Sequence, residues 1–143
     1  MKLINPTDNQ LNAAFAEKVA GWRWWRLPAY KSTSPYLGST IDRSLLFGPT
    51  ANPGRSWIEG KGEDAGNITG EAFNFTRSMD AVLPWLAQMD AVEIRLMFSL
   101  GVPKQWQVDV GRGVAIERAE DVLLPRACVI ALLRAHWVEV EFT

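Results

Sequence analysis

Residues 11–25 read LNAAFAEKVAGWRWW, and the fold turns on how that run changes period in the middle. Leu11, Ala14, Phe15 and Val19 recur at i, i+3, i+4 and i+8, the spacing of one apolar helix face, and Thr7 or Asp8 just upstream is a suitable N-cap. Gly21 is the natural stop, because its backbone takes a positive φ without steric cost. The WRWWRL that follows is aromatic enough to favour a strand. Alternation places Trp22, Trp24 and Arg26 on one side and Arg23, Trp25 and Leu27 on the other. Both sides are partly apolar, as expected of a central strand covered on each face.

Outward from this join, the chain from Pro28 to Gly70 is rich in Pro, Gly, Ser, Thr and Asn, interrupted by a short strand at Leu45, Leu46 and Phe47. Residues 48–70 are longer than a structureless connection normally is in a compact domain and read as a functional or mobile loop; their single aromatic is Trp57. Ser78 caps a second helix with Val82, Trp85, Leu86 and Met89 inward, which Pro84 should bend or shift. VEIRLMF sets Val92, Ile94, Leu96 and Phe98 on one face, and QWQVDV sets Trp106, Val108 and Val110 inward. With VAIE after Gly111 to Gly113, these make an antiparallel meander of three strands. Pro125 opens a last helix through RACVIALLRA that is apolar almost all round, so it is buried in the molecule or covered by a second subunit. WVEVEF alternates as a terminal strand. The expectation is a single α+β domain over residues 1–143, a helix/sheet/helix sandwich around a mainly antiparallel sheet shared by WRWWRL and the later hairpin.

Size and charge narrow the function. A chain of 143 residues buries roughly 70% of its unfolded surface and needs neither disulfide nor metal to hold it. Its net charge of -1 predicts no general attraction to nucleic acid or anionic membrane. The distribution is uneven: residues 1–62 carry eight basic and four acidic side chains, residues 63–143 seven and twelve. Cys128 is the one cysteine, which excludes an internal disulfide and a thiolate zinc site. Neither a signal-peptide stretch nor a membrane-length apolar run is evident, so a cytoplasmic setting is expected.

Three segments, LNAAFAEKVAGW, TRSMDAVLPWLAQM and LLPRACVIALLRA, carry a resemblance. Glu17, Lys18, Val19, Gly21 and Trp22, then Ser78 to Trp85, then Pro125 to Ala135, resemble in order the bacteriophage and prophage proteins of the phage ABA sandwich domain family. The resemblance implies a helix/sheet/helix sandwich encoded by a phage or prophage, in a family of uncharacterised role. This chain departs from it at Pro84, in the long loop and in the tail after Ala135.

No sequence signature for a P-loop, a dinucleotide fold, a nucleophile elbow or a zincin is present. His136, the one histidine, sits where an imidazole serves helix carbonyl ends. Glu117, Glu120 and Asp121, or Glu63 and Asp64, are carboxylates able to gather around magnesium, although loop carboxylates are usually just solvated. No metal or cofactor is expected. The remaining candidate is WRWWRLPAYK: Arg23, Trp24, Trp25, Arg26, Tyr30 and Lys31, followed by Tyr36 and Arg43, with Trp57 from the loop. Aromatic faces stack on bases and arginines meet phosphates, while tryptophan in a strand is also the usual filling of a core. The leading expectation is a non-enzymatic binding protein for a host protein or host signalling small molecule, forming a homo-oligomer. Single-stranded nucleic acid or nucleotide binding through residues 22–31 is the alternative, and a magnesium-dependent enzyme using loop carboxylates the third.

Overall fold

The computed structural model describes residues 1–28, 43–62 and 74–143. In chain order they form β1 (Lys2–Ile4), α1 (Asp8–Lys18), β2 (Arg23–Leu27), β3 (Arg43–Phe47), β4 (Ile58–Glu59), a 3-10 turn (Phe75–Arg77), α2 (Met79–Leu86), β5 (Ala91–Ser99), β6 (Val102–Arg112), β7 (Ala115–Asp121), α3 (Leu124–Ala135) and β8 (Glu139–Glu141). This is an α+β arrangement of helices and mainly antiparallel sheets, as expected from the sequence.

The first helix starts and stops for local reasons. Thr7 Oγ1 accepts from the Gln10 amide at 3.2 Å while Gln10 Oε1 accepts from the Thr7 amide at 2.9 Å, a complete capping box. At the other end Gly21 takes φ +74°, and the Trp22 amide turns back to the Ala16 carbonyl at 2.8 Å. The chain leaves α1 directly into β2. Leu11, Ala14 and Phe15 are buried, with Val19 partly so. α2 is capped by Ser78 as expected and ends two residues past Pro84, with Val82 and Leu86 buried. Pro84 stands at the sixth of eight helical positions, so it neither moves the start from Met79 nor itself ends the helix.

The strands do not share one sheet. They divide into β3-β2-β4, β5-β6-β7 and the parallel pair β1-β8, which corrects the expectation that WRWWRL and the VEIRLMF hairpin are neighbours. The reason is competition for edges: β3 and β4 take both sides of β2, and β6 is likewise taken by β5 and β7. Two strands lie where the sequence predicts none. β4 lies inside the 48–70 stretch, whose residues 63–70 are outside the described residues, and β1 lies in the N-terminal segment. β1 pairs in parallel with β8, Leu3 opposite Val140, and Asn5 and Thr143 bind each other twice, at 2.8 and 2.9 Å.

α3 is the centre of the molecule. It packs on β6 and β7 on one side, meets α1, α2 and the 3-10 turn on the other, and touches β8. Every residue from Ala127 to Leu133 is buried, as is Ala135. An apolar surface running all round a helix requires cover all round, and here one chain supplies it. The last helix is thus no dimer surface. Burial pushes the Cys128 thiol up to about 12, since a thiolate in an apolar core is poorly solvated. The native protein is expected to react with a thiol reagent at least tenfold more slowly than the denatured chain at pH 8; equal rates would place Cys128 at the surface.

Candidate functional site

Register divides the predicted binding residues between two faces. On β2, Trp24 lies opposite Leu46, and Arg26 opposite Ser44. Leu46 and Trp22 pack on the core and Ser44 is buried, so this is the inner face. Trp24 is anchored there: its Nε1 donates to Glu17 Oε2 of α1 at 3.0 Å, and Lys61 lies 5.4 Å from its ring and 3.6 Å from Glu17. Trp24 thus ties the sheet to the helix, and Arg26 shares its side of the strand.

The opposite face carries the remainder. Arg23 lies opposite Phe47, Trp25 opposite Leu45 and Glu59, and Leu27 opposite Arg43. Trp57, at the entry to β4, sets its ring edge-on to Phe47 with centroids 5.4 Å apart. Arg23 is solvent-exposed and 3.8 Å from Glu59, an ion pair of little energetic weight in that setting. Of the seven candidate residues, the structure therefore groups Arg23, Trp25 and Trp57 on one face, sends Trp24 and Arg26 to the other, and leaves Tyr30 and Lys31 outside the described residues, along with Tyr36. Phe47 and Leu45 join the grouped face. Their strand was legible, but their side depends on register, which no local pattern sets.

The carboxylates do not converge. Glu120 accepts from Gln107 Nε2 at 2.9 Å, while Asp121 accepts from the Leu123 amide at 2.9 Å and pairs with Arg126. Glu117 and Asp121 share one face of β7, with Glu120 on the other. Among the described residues no group of three or more His, Cys, Asp or Glu is placed to hold a metal; Glu63 and Asp64 lie outside them. His136 Nδ1 lies 2.8 Å from the Leu132 carbonyl oxygen, serving the helix end as expected. A depression of about 370 Å³ between β7 and α3 is lined by Arg118, Ala119, Glu120, Ile130, Arg134 and Phe142. Arg134 there donates to the Arg118 and Val140 carbonyls, which makes it a brace between β7 and β8.

On the outer face of β6 and β7, Arg118 grips Asp109 at 2.7 and 3.1 Å and holds its carboxyl below the ordinary 3.8. A carboxyl lowered on folding contributes stability that is present above its unfolded pKa and lost as pH falls through the folded one. Asp109→Asn is expected to flatten the stability profile below about pH 4; an unchanged acid limb would show that the pair carries no weight.

The terminal strand expected over WVEVEF is confined to Glu139–Glu141, and Trp137 belongs to the turn before it. Trp137 follows α3 with φ +62°. Its amide donates to the Arg134 carbonyl at 3.1 Å and the Val138 amide to the Leu133 carbonyl at 3.0 Å, the two bonds of a Schellman ending, where glycine is usual. Trp137 is 78% exposed, with the Arg112 guanidinium 4.7 Å from its ring centroid. A glycine-type signal at the helix end was absent from the sequence, so the turn went unseen. Relief of a left-handed cost of about 1–2 kcal/mol opposes the loss of backbone stiffness and of an exposed cation–π contact, each about 0.5–1 kcal/mol. Trp137→Gly is therefore expected to change unfolding free energy by less than about 1 kcal/mol, against about 3–5 for a buried tryptophan truncated to alanine. Urea denaturation checks it, and a large loss would make Trp137 a structural residue.

The fold and face together define an α+β domain with an aromatic, arginine-bearing sheet surface. Comparison with family models, with curated proteins and with solved structures finds no match to this chain. No helix of the described residues is long and apolar enough to cross a membrane.

Proposed function

We propose that this chain is a phage or prophage accessory protein that acts by binding rather than catalysis in the host cytoplasm. Its partner is a host protein, taken on the face of the β3-β2-β4 sheet that carries Arg23, Trp25, Phe47 and Trp57. The phage reading rests on the resemblance of the three helical segments. The binding reading rests on one observation: three aromatic rings and an arginine share a sheet face turned away from the α1 packing, with Trp57 braced on Phe47. Tryptophan and arginine are the residues that dominate protein interfaces, because each covers much area with few rotatable bonds or forks onto carbonyls and carboxylates.

Charge favours a protein over nucleic acid at this face. Arg23 is opposed by Glu59, and Lys61 on the inner side by Glu17; Arg43 adds one exposed cation to the face, and with a net charge of -1 over the chain this is few phosphate contacts' worth of counterion release.

The test is affinity capture from bacterial host lysate with wild type and with the Trp25→Ala/Trp57→Ala pair, followed by calorimetry on the purified partner. A discrete protein bound by wild type and weakened at least tenfold by the pair supports the reading. A captured nucleic acid whose affinity falls steeply with salt, a co-purifying metabolite, or a protein indifferent to the pair overturns it.

A further inference from the structure

The edge of the β5-β6-β7 sheet is built in a way that natural sheets avoid unless the edge has a partner. β5 runs nine residues, Ala91–Ser99, and pairs on one side with β6; among the described residues nothing pairs on its other side. Free edges are normally blunted by proline, lysine or a charge pointing to the core side. AVEIRLMFS contains no proline and no lysine, and its charges, Glu93 and Arg95, lie on the face of Asp109 and Gln107, away from α3; its one register shift falls between Met97 and Ser99, past Leu96, and leaves Ala91 to Met97 regular.

On the α3 side, Val92, Ile94 and Leu96 align with Val110, Val108 and Trp106. Val108 and Val110 are fully buried beneath α3, but α3 is seated over β6 and β7. Val92, Ile94 and Leu96 overhang it and are left 40%, 39% and 37% exposed. Among the described residues the result is an apolar stripe beside an unpaired row of main-chain donors and acceptors.

The sequence of the strand says what covers it. We propose that β5 pairs antiparallel with β5 of a second copy about a two-fold axis through Ile94, joining two three-stranded sheets into one of six. In that register Val92 faces Leu96 of the second copy and Ile94 faces Ile94, so the overhanging stripes close on each other on the side where both α3 helices lie. On the reverse face Glu93 stands opposite Arg95 of the second copy, and Arg95 opposite Glu93. Within one chain Arg95 already reaches Glu93 at 2.6 Å, beside the Asp109–Arg118 pair whose charges they feel, so dimerisation extends this cluster across the axis as a ring of four alternating charges. Moving the axis by one residue sets Glu93 against Glu93 or Arg95 against Arg95. Like charges directly opposite destabilise a sheet pair, so the charges select the Ile94 register as well as the partner. Symmetric self-pairing of this kind is closed, and it removes the β5 edge of each sheet, leaving β7 at the two ends of the six-stranded sheet.

Light scattering after size exclusion at tens of micromolar is expected to return twice the chain mass. Glu93→Arg and Arg95→Glu should each weaken self-association at least tenfold and run as monomers, since each sets like charges across the axis. An equimolar mixture of the two variants should return to the dimer mass, because their charges are then complementary. Circular dichroism of each variant confirms that it is folded. A wild-type monomer at 100 µM overturns the proposal, as do charge variants that remain dimeric or a mixture that fails to reassociate. None of these outcomes depends on the host-partner reading of the β3-β2-β4 sheet.

Discussion

Phe15→Ala is expected to lower the unfolding free energy by about 3–5 kcal/mol, the usual cost of truncating a buried phenylalanine. Phe15 is fully buried on α1. Its ring centroid lies 4.6 Å from that of Phe75 on the 3-10 turn and 6.4 Å, edge-on, from that of Trp85 on α2. Three segments separated in sequence therefore meet on one ring, and the cavity left by alanine cannot be filled without moving α1 or the turn. Packed interiors relax only partly around such a void. Chemical denaturation of the variant should show a lower midpoint with an unchanged slope. A loss below about 1 kcal/mol would mean that the aromatic junction is not a core element.

A larger effect is expected from Ala131→Asp. Ala131 is fully buried midway along α3, between the β6 and β7 strands and the helical layer. A carboxylate placed there enters an apolar layer, Arg134 one turn on being already committed to the Arg118 and Val140 carbonyls, and stripping its water costs several kcal/mol even after relaxation. Against a total stability typically about 5–15 kcal/mol, that is enough to abolish a cooperative transition at neutral pH. The same substitution at Leu83, 50% exposed on α2, should cost no more than about 1 kcal/mol. Thermal melts of the two variants separate a helix buried all round from one buried on a stripe, and similar melts would contradict the central position of α3.

Much of this was written locally. The capping box at Thr7, the Leu11–Phe15 spacing, the Gly21 stop, the Ser78 cap and the β5-β6-β7 meander each rest on features within a few residues of one another. The all-round apolarity of RACVIALLRA stated that it needed cover on every side and left two suppliers open; the fold chose the chain itself. The candidate site was half legible. Aromatic and basic composition drew attention to WRWWRL, but Trp24 and Trp25 differ by one position and lie on opposite faces, and only the pairing of Trp24 with Leu46 and the bond from Trp24 to Glu17 tell which is which. Phe47 and Trp137 were missed because a strand face and a left-handed helix ending are set by partners rather than by the residues' own types.

The sequence by itself determined the three helices, β2, β3, the β5-β6-β7 meander and their order, because a backbone of period 3.6 or 2 meets an apolar neighbour on a predictable side; β1 and β4, two or three residues long, carry too little pattern for that. The tertiary structure alone decided which edges joined: that β2 is taken by β3 and β4, that β1 crosses the length of the chain to reach β8, and that among the described residues β5 pairs on one side alone. Strand pairing is a competition among distant segments for the same main-chain donors and acceptors, decided by how much apolar surface the whole arrangement covers, and no local stretch of residues carries that sum.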